Sequence, residues 1–466
     1  MYRTLFIFFL SLIAVLPTSA KKKYAGPRSY VWRYYLRDKQ GCGFSTEHPS
    51  RFLSLKAIER RKHQKLKVDS TDLPVSSRYT TLFHVDGVEV LGSSKWNNTL
   101  VVRSRDTLLL RQLANLNCVK GSRLVWQSPD SLEEKDQVKW NVREQFQKWD
   151  SVPNDPYGMS RPQVEMLGGE RLHEIGLRGE GMTIAILDGG FLNVHCIPHL
   201  NKSRIAGTRD FVGHKTSTDF YEGIDHGTKV FSVLAAEAPE VILGTATEAN
   251  YWLLRCEDPE TEMPIEEDYW AMAAEFADSV GADIISSSLG YTEYDHNLGS
   301  YRLQDLDGKT ALISRTASML ARKGIVLCNS AGNSGMASWK KIGVPADADD
   351  VLTIGAVGGD RKIAVFSSVG PSQDGRVKPD VVAMGSPTTL INGKGMLTRD
   401  MGTSFSTPLI SGLVACLWQG LRQKTALEII DLVRRSTLQY DEPDNVYGYG
   451  IPDFWRAYMV GQTKQD

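Results

Sequence analysis

Ser404 stands in the stretch RDMGTSFSTPLISG, directly before an apolar run that carries Pro408 near its start. A serine in that place either caps a helix or presents its hydroxyl to a substrate. Two other polar residues occupy comparable positions. Asp188 ends the apolar run MTIAILD and precedes Gly189 and Gly190, and His226 stands in DHGT before the run KVFSVLAA. Singly, each has an ordinary structural reading: a turn or cap aspartate, a structural histidine. Together they make a carboxylate, a base and a nucleophile. A serine hydroxyl attacks well only when a base takes its proton, and histidine titrates in the range that suits this. An aspartate then fixes the imidazole tautomer and stabilises the imidazolium. Asn333, in CNSAGNSG, is either a left-handed turn residue or an amide donor to the oxyanion formed when Ser404 attacks a carbonyl. The Ser404 backbone N–H is the natural second donor, and a helix N-terminus behind it adds positive potential.

These residues need a frame. From Gln163 onward, MTIAILD, VILGTATEANYWLLRC, ADIISSSLG, GIVLCNSAG and VLTIGAV are short apolar runs ending in small or polar residues. Helical stretches such as TKVFSVLAAEA and DYWAMAAEFADSV lie between them. The pattern predicts an α/β fold, a doubly wound parallel sheet over residues 161–466 with ligands at the carboxyl ends of its strands. Residues 21–127 predict a separate, small α+β domain. There SYVWRYYL, TLVVRS and SRLVW read as strands, FLSLKAIERRKHQ and DTLLLRQLANL as helices, the second capped by Asp106. Residues 128–160 are charged, end in Pro and Gly, and read as a linker.

The start of the chain reads as a secretory signal peptide over residues 1–20. Arg3 precedes an apolar run at 5–16, and Thr18, Ser19 and Ala20 offer small residues for cleavage. Lys21, Lys22 and Lys23 run against the usual charge pattern, and an uncleaved interfacial anchor is the alternative. No other segment is apolar enough to span a membrane, so no stable span is expected in the mature protein.

Composition narrows the classes further. Of 466 residues 41% are apolar and 23% charged, which supports a sizeable core and excludes wholesale disorder. A net charge of −1 gives no electrostatic case for nucleic acid. The six cysteines, Cys42, Cys118, Cys196, Cys256, Cys328 and Cys416, form no CxxC pair, so no zinc site is indicated. Export would permit disulfides, whose pairing the sequence does not reveal.

Seven blocks in order carry a resemblance: ILDGGF with Asp188, HGT with His226, SSLG at 287–290, SAGN with Asn333, VPA at 344–346, SSVGPSQDGRVKPDVVAMG at 367–385, and GTSFSTP with Ser404. The chain resembles the subtilisin-like serine proteases, the subtilases, over roughly residues 163–455. The resemblance implies a serine endopeptidase with polypeptide substrates, working through an acyl-enzyme on Ser404 and requiring no cofactor. It implies that Asp188, His226 and Ser404 are catalytic and that Asn333 and Ser404 form the oxyanion hole. It also implies that Ser288, Leu289 and Gly290 pair with the substrate backbone and wall the primary specificity pocket. Gly343 matches the pocket floor, although glycine there has a purely backbone explanation as well.

The N-terminal unit would be the protein's own inhibitory propeptide, cut somewhere between Trp126 and Tyr157. The alternative is a permanently attached binding domain. Exported members of the family act in the periplasm or outside the cell. Departures are Gly189 where the family has Thr or Ser, Phe405 and Ser406 after the nucleophile, and an apparent insertion YTEYDHNLGSYRLQDLDGKT. Asp305, Asp307 and Gly308 within it faintly resemble a calcium loop but lack the further ligand spacing, and no metal ligand is assigned. A lipase-type GxSxG is absent, and His226 argues against the acid-acting relatives that replace it with a carboxylate. The rival from another class is a catalytically inactive, non-processed exported binding protein on the same fold.

Overall fold

The computed structural model describes residues 21–24, 26–133, 151–200, 204–212 and 219–463. The expected signal segment and residues 134–150 of the expected linker lie outside the described residues.

The N-terminal unit is built from β1 (Tyr30–Leu36), α1 (Leu55–His63), β2 (Val88–Ser94), β3 (Thr99–Ser104), α2 (Thr107–Ala114) and β4 (Val119–Gln127). Its strands form an antiparallel sheet in the order β2-β3-β1-β4. Asp106 caps α2 by accepting from Leu108 N at 2.8 Å and Leu109 N at 3.2 Å. Strand β2 escaped the sequence reading because Gly92 breaks its alternation. The register shifts there, and a Cβ at 92 would collide with Met272 Sδ, so glycine permits close approach to a helix of the second unit.

The second unit is the expected doubly wound α/β layer. Its strands are β5 (Thr183–Asp188), β6 (Arg204–Asp210), β7 (Asn250–Arg255), β8 (Ile284–Ser287), β9 (Val326–Ser330), β10 (Leu352–Gly358) and β11 (Val381–Ser386). They run parallel in the order β11-β10-β9-β8-β5-β7-β6. Its helices include α3 (His226–Ala235), α4 (Ile265–Val280), α5 (Leu312–Leu320) and α6 (Thr403–Gly420). Alternate residues of β5 serve opposite faces. Ile184 and Ile186 pack with Val230, Phe231, Leu409 and Leu413 of α3 and α6; Ala185 and Leu187 pack with Trp270, Ala273 and Ile313 of α4 and α5. A sheet covered on both sides explains why its strands read as near-continuous apolar runs. Edge strand β6, which alternates between exposed and half-buried, gave no such signal.

The two units share one apolar core. Val31, Val101 and Val125, on one face of the N-terminal sheet, join the α4 layer, while Tyr34, Leu100 and Leu110 fill a separate core on the other face. Around that seam α4 presents acids to N-terminal bases. Arg33 donates to Asp268 from Nε at 2.7 Å and from Nη2 at 2.6 Å. Asp278 receives Arg60, Arg61 at 2.9 Å and Lys95 at 3.2 Å. Burial alone would raise the Asp278 carboxyl, but these three cations outweigh it and hold it well below the usual carboxylate range. Glu275 accepts from Ser94 Oγ, Lys95 N and Trp96 N.

Among the described residues no helix is long and apolar enough to cross a membrane. Cys42, Cys118, Cys256, Cys328 and Cys416 are buried thiols.

Candidate active site

Strand β5 delivers Asp188, fully buried, to the carboxyl edge of the sheet. The chain turns at once through Gly189 and Gly190, and α3 starts on that turn. Gly227 N donates to Gly190 O at 2.8 Å, and a Cβ at 227 would stand 2.5 Å from that oxygen, so the approach requires glycine. This places His226, first residue of α3, with Nδ1 at 2.9 Å and 3.0 Å from the two Asp188 oxygens. A carboxylate only accepts, so Nδ1 carries a proton in either state, and once the imidazole is neutral Nε2 is the acceptor. Burial works against the charged imidazole, but Asp188 and then Glu257 outweigh it, raising His226 to about 9.

Ser404 is the second residue of α6, whose N-cap is Gly402, so it is not the cap that serine at a helix mouth suggests. Pro408 supplies the local reason for its setting. Proline has no N–H, so the carbonyl four residues back, that of Ser404, loses its helical donor. Ser288 Oγ replaces it at 2.9 Å, and Ser404 Oγ in turn donates to Ser288 O at 3.4 Å. The hydroxyl is thus turned to the strand end rather than hydrogen-bonded to His226. Both side chains line one cavity of about 590 Å³, in which the Ser404 residue is 8% exposed. Phe405, the departure after the nucleophile, lies against the His226 ring with centroids 5.8 Å apart.

Asn333 follows β9. The left-handed residue of its turn is Gly332, with φ of 101°, so the left-handed reading of Asn333 itself falls away. Its Oδ1 accepts from Thr403 N at 3.0 Å and Thr403 Oγ1 at 2.9 Å. That fixes the amide with Nδ2 toward the Gly402 side of the nucleophile, 3.7 Å from where a Gly402 Cβ would stand. If the amide serves the oxyanion, as the resemblance implies, Asn333→Ala is expected to lower kcat by about 10²–10³, the cost of one such donor. Steady-state kinetics on a peptide ester checks it.

The departure at 189 has a physical reason. A Cβ on Gly189 would lie 2.5 Å from Glu257 Oε2, so the Glu257 carboxylate fills the space that a Thr or Ser side chain would need. Glu257 favours the imidazolium by its charge. Glu257→Gln therefore removes a stabiliser of the protonated base, and the acid limb of the kcat/KM–pH profile is expected to move to lower pH.

Ser288, Leu289 and Gly290 leave β8 along the cavity wall. Gly343 is not among the residues lining it. A Cβ there would stand 2.8 Å from Tyr291 O, where Tyr291 and Val344 exchange backbone hydrogen bonds at 2.8 Å and 3.0 Å, so backbone approach accounts for this glycine. The calcium-like stretch is tied up locally. Asp305 pairs with Arg302, and Asp307 accepts from Lys309 N, Thr310 N and Thr310 Oγ1. The apparent insertion is anchored on Glu267 of α4, which accepts from the Tyr294 and Tyr301 hydroxyls at 3.2 Å and 2.8 Å.

The sequence alone did not single out the acids of the cavity. Glu257, Asp258, Glu260 and Glu262 precede α4 in the run CEDPETEMPIEED and line the cavity with Asp295. The acid density was visible in the sequence; its arrival in the same cavity as Ser404 follows only from the packing of α4, whose Trp270 Nε1 donates to Ser287 Oγ at 2.9 Å.

Comparison with known proteins agrees with this geometry. Residues 179–450 match the subtilase family, peptidase S8, and residues 32–142 match the peptidase S8 propeptide domain of Bacteroidota. Serine protease AprX of Bacillus subtilis is 31% identical over 59% of this chain and 65% of its own length. Subtilisin NAT of Bacillus subtilis subsp. natto is 28% identical over 64% of this chain and 69% of its own, as is subtilisin E of Bacillus subtilis. The chain thus spans just under two thirds of AprX. With a matching domain that covers more than half of its residues, and an S8 propeptide domain ahead of it, the chain belongs to the subtilase family.

Proposed function

We propose that the protein is a serine endopeptidase made as an inhibited precursor, with Asp188, His226 and Ser404 as its catalytic residues. The observation that carries this reading is the Asp188–His226 pair, hydrogen-bonded at 2.9 Å and opening its free Nε2 on the cavity that Ser404 lines. When a peptide carbonyl enters, the Ser404 hydroxyl turns from Ser288 O toward Nε2; such bonds are often unmade until substrate is bound. Nε2 takes the proton as Oγ bonds to the carbonyl carbon. Asn333 Nδ2 and the Ser404 N–H hold the oxyanion. The imidazolium then protonates the leaving amine as the C–N bond breaks. Water, deprotonated by the same imidazole, hydrolyses the ester. No cofactor enters this scheme.

In this reading residues 21–127 are the propeptide, a cut falls within 128–160, and residues 161–466 are the catalytic domain. Residues 1–20 direct export to the periplasm or beyond the cell. Support for the propeptide role comes from its family match and from the seam of buried ion pairs it makes with α4. Labelling with a fluorophosphonate probe tests the enzyme: the processed protein takes up label and Ser404→Ala does not. Absence of label on the processed protein would sink the reading.

A further inference from the structure

The cavity that Ser288, Leu289 and Gly290 line is acidic in a particular way. Glu257, Asp258, Glu260, Glu262 and Asp295 line the cavity, and no lysine or arginine does. Behind them, Glu257, Glu262 and Glu266 each bring a carboxylate oxygen within 4.8 Å of the other two. Glu266 is fully buried, and neither of its oxygens has a hydrogen-bond partner. The Tyr291 hydroxyl stands beside it, close enough to lower the Glu266 carboxyl slightly against the larger effect of burial.

Local contacts set the wall's shape. Asp258 accepts from Glu260 N at 3.0 Å and Thr261 Oγ1 at 2.8 Å; Glu262 N donates to Asp295 Oδ2 at 3.0 Å, and Asp295 N donates to Glu262 O at 2.7 Å. Burial first, then the charges of Glu262 and Glu257, push the Glu266 carboxyl well above its ordinary value. A buried carboxyl held neutral in this way ionises when a cation enters the cluster, so the cluster gains negative charge with its guest.

We propose that this acidic wall is a subsite for an arginine or lysine side chain of the peptide substrate, on the N-terminal side of the bond to be cut. The inference rests on the protease reading above. The wall shares its cavity with Ser404 and His226, and with Ser288, Leu289 and Gly290, which the family resemblance assigns to pairing with the substrate backbone and to the primary specificity pocket. A side chain extending from a strand bound there enters between Glu257 and Glu262. Its guanidinium fork or ammonium supplies N–H donors where the wall offers only acceptors. Asp258, Glu260 and Asp295 line the cavity outside the Glu257–Glu262–Glu266 cluster, and this wider acidic lining favours a cationic chain over a free metal.

The test uses processed wild-type protein, Glu262→Gln and Glu266→Gln. The probes are fluorogenic tetrapeptides ending in phenylalanine, with leucine at the preceding positions or with arginine or citrulline at the second, third or fourth residue before the cut. At one position arginine is expected to exceed leucine in kcat/KM by roughly 10²-fold, within the range for a desolvated charge pair. Citrulline should lose that preference, and each variant should bring the arginine-to-leucine ratio toward one. Equal rates for arginine and leucine at all three positions would overturn the proposal. So would an arginine preference that both variants retain. A thermal midpoint that rises with calcium chloride in wild type but not in Glu262→Gln, without an arginine preference, would make the wall a metal site instead. Failure to cleave even the leucine peptides would count against the protease reading and remove this one with it.

Discussion

Ser404→Ala is expected to lower turnover by about 10⁶, the scale of loss known for removal of the nucleophile in subtilisin, and to leave the rest of the fold in place. The substitution deletes one hydroxyl whose sole structural bond is a 3.4 Å contact to Ser288 O. The stronger tie, from Ser288 Oγ to the Ser404 carbonyl, is made by the backbone and survives. Stability should therefore change little while chemistry stops. The same variant reports on maturation. If the enzyme cuts its own linker, the variant remains a single chain carrying the N-terminal domain, while wild type shortens by a domain-sized piece. Gel mobility and intact mass after export distinguish the two. Wild type and variant of equal mass would mean that this chain does not process itself.

Asp268→Ala is expected to loosen the N-terminal domain from the catalytic domain by about 3–5 kcal/mol, or 10²-fold to more than 10³-fold in affinity. Arg33 and Asp268 are each 1% exposed and joined by two parallel N–H···O bonds. Without the carboxylate the guanidinium keeps only Pro264 O at 3.1 Å and the Tyr35 hydroxyl at 3.2 Å, and its charge stays buried. The penalty comes from the orphaned partner more than from the lost attraction. Replacing both residues by apolar ones, Arg33→Met with Asp268→Leu, should thus recover most of the hold. Size-exclusion chromatography of processed protein checks both outcomes: the single variant elutes free of its N-terminal fragment at dilutions where wild type and the double variant retain it. A single variant that holds the fragment as wild type does would place the binding energy elsewhere along the seam.

The sheet and most of its polar edge could be read from the sequence because both follow local rules. A two-sided sheet makes apolar runs, and Asp188, Ser288 and Asn333 follow the ends of β5, β8 and β9, where such folds gather chemistry. Two kinds of feature stayed hidden. Strands β2 and β6 lack the pattern, one interrupted by Gly92 and the other lying at an exposed edge. Features made by distant segments meeting were also hidden. Gly189 read as a departure from a family habit until Glu257, sixty-eight positions on, proved to occupy its side-chain space. A cap reading stood open for Ser404 because the sequence does not say that Gly402 takes that place. Glu266 is one acid among several in the first turn of α4, a common and favourable place for negative charge, so nothing in the sequence singles it out. Its isolation from donors arises only where α4 meets the loop after β8.

The proline near the start of α6 has a mechanical consequence. By withholding one amide it hands the Ser404 carbonyl to the Ser288 hydroxyl at the neighbouring strand end, which also borders the cleft. Helix and strand end are thereby stitched together outside the regular helical ladder. Under the proposed mechanism, a displacement of that strand end, whether by an arriving peptide or by a departing fragment, is passed directly to the attacking residue.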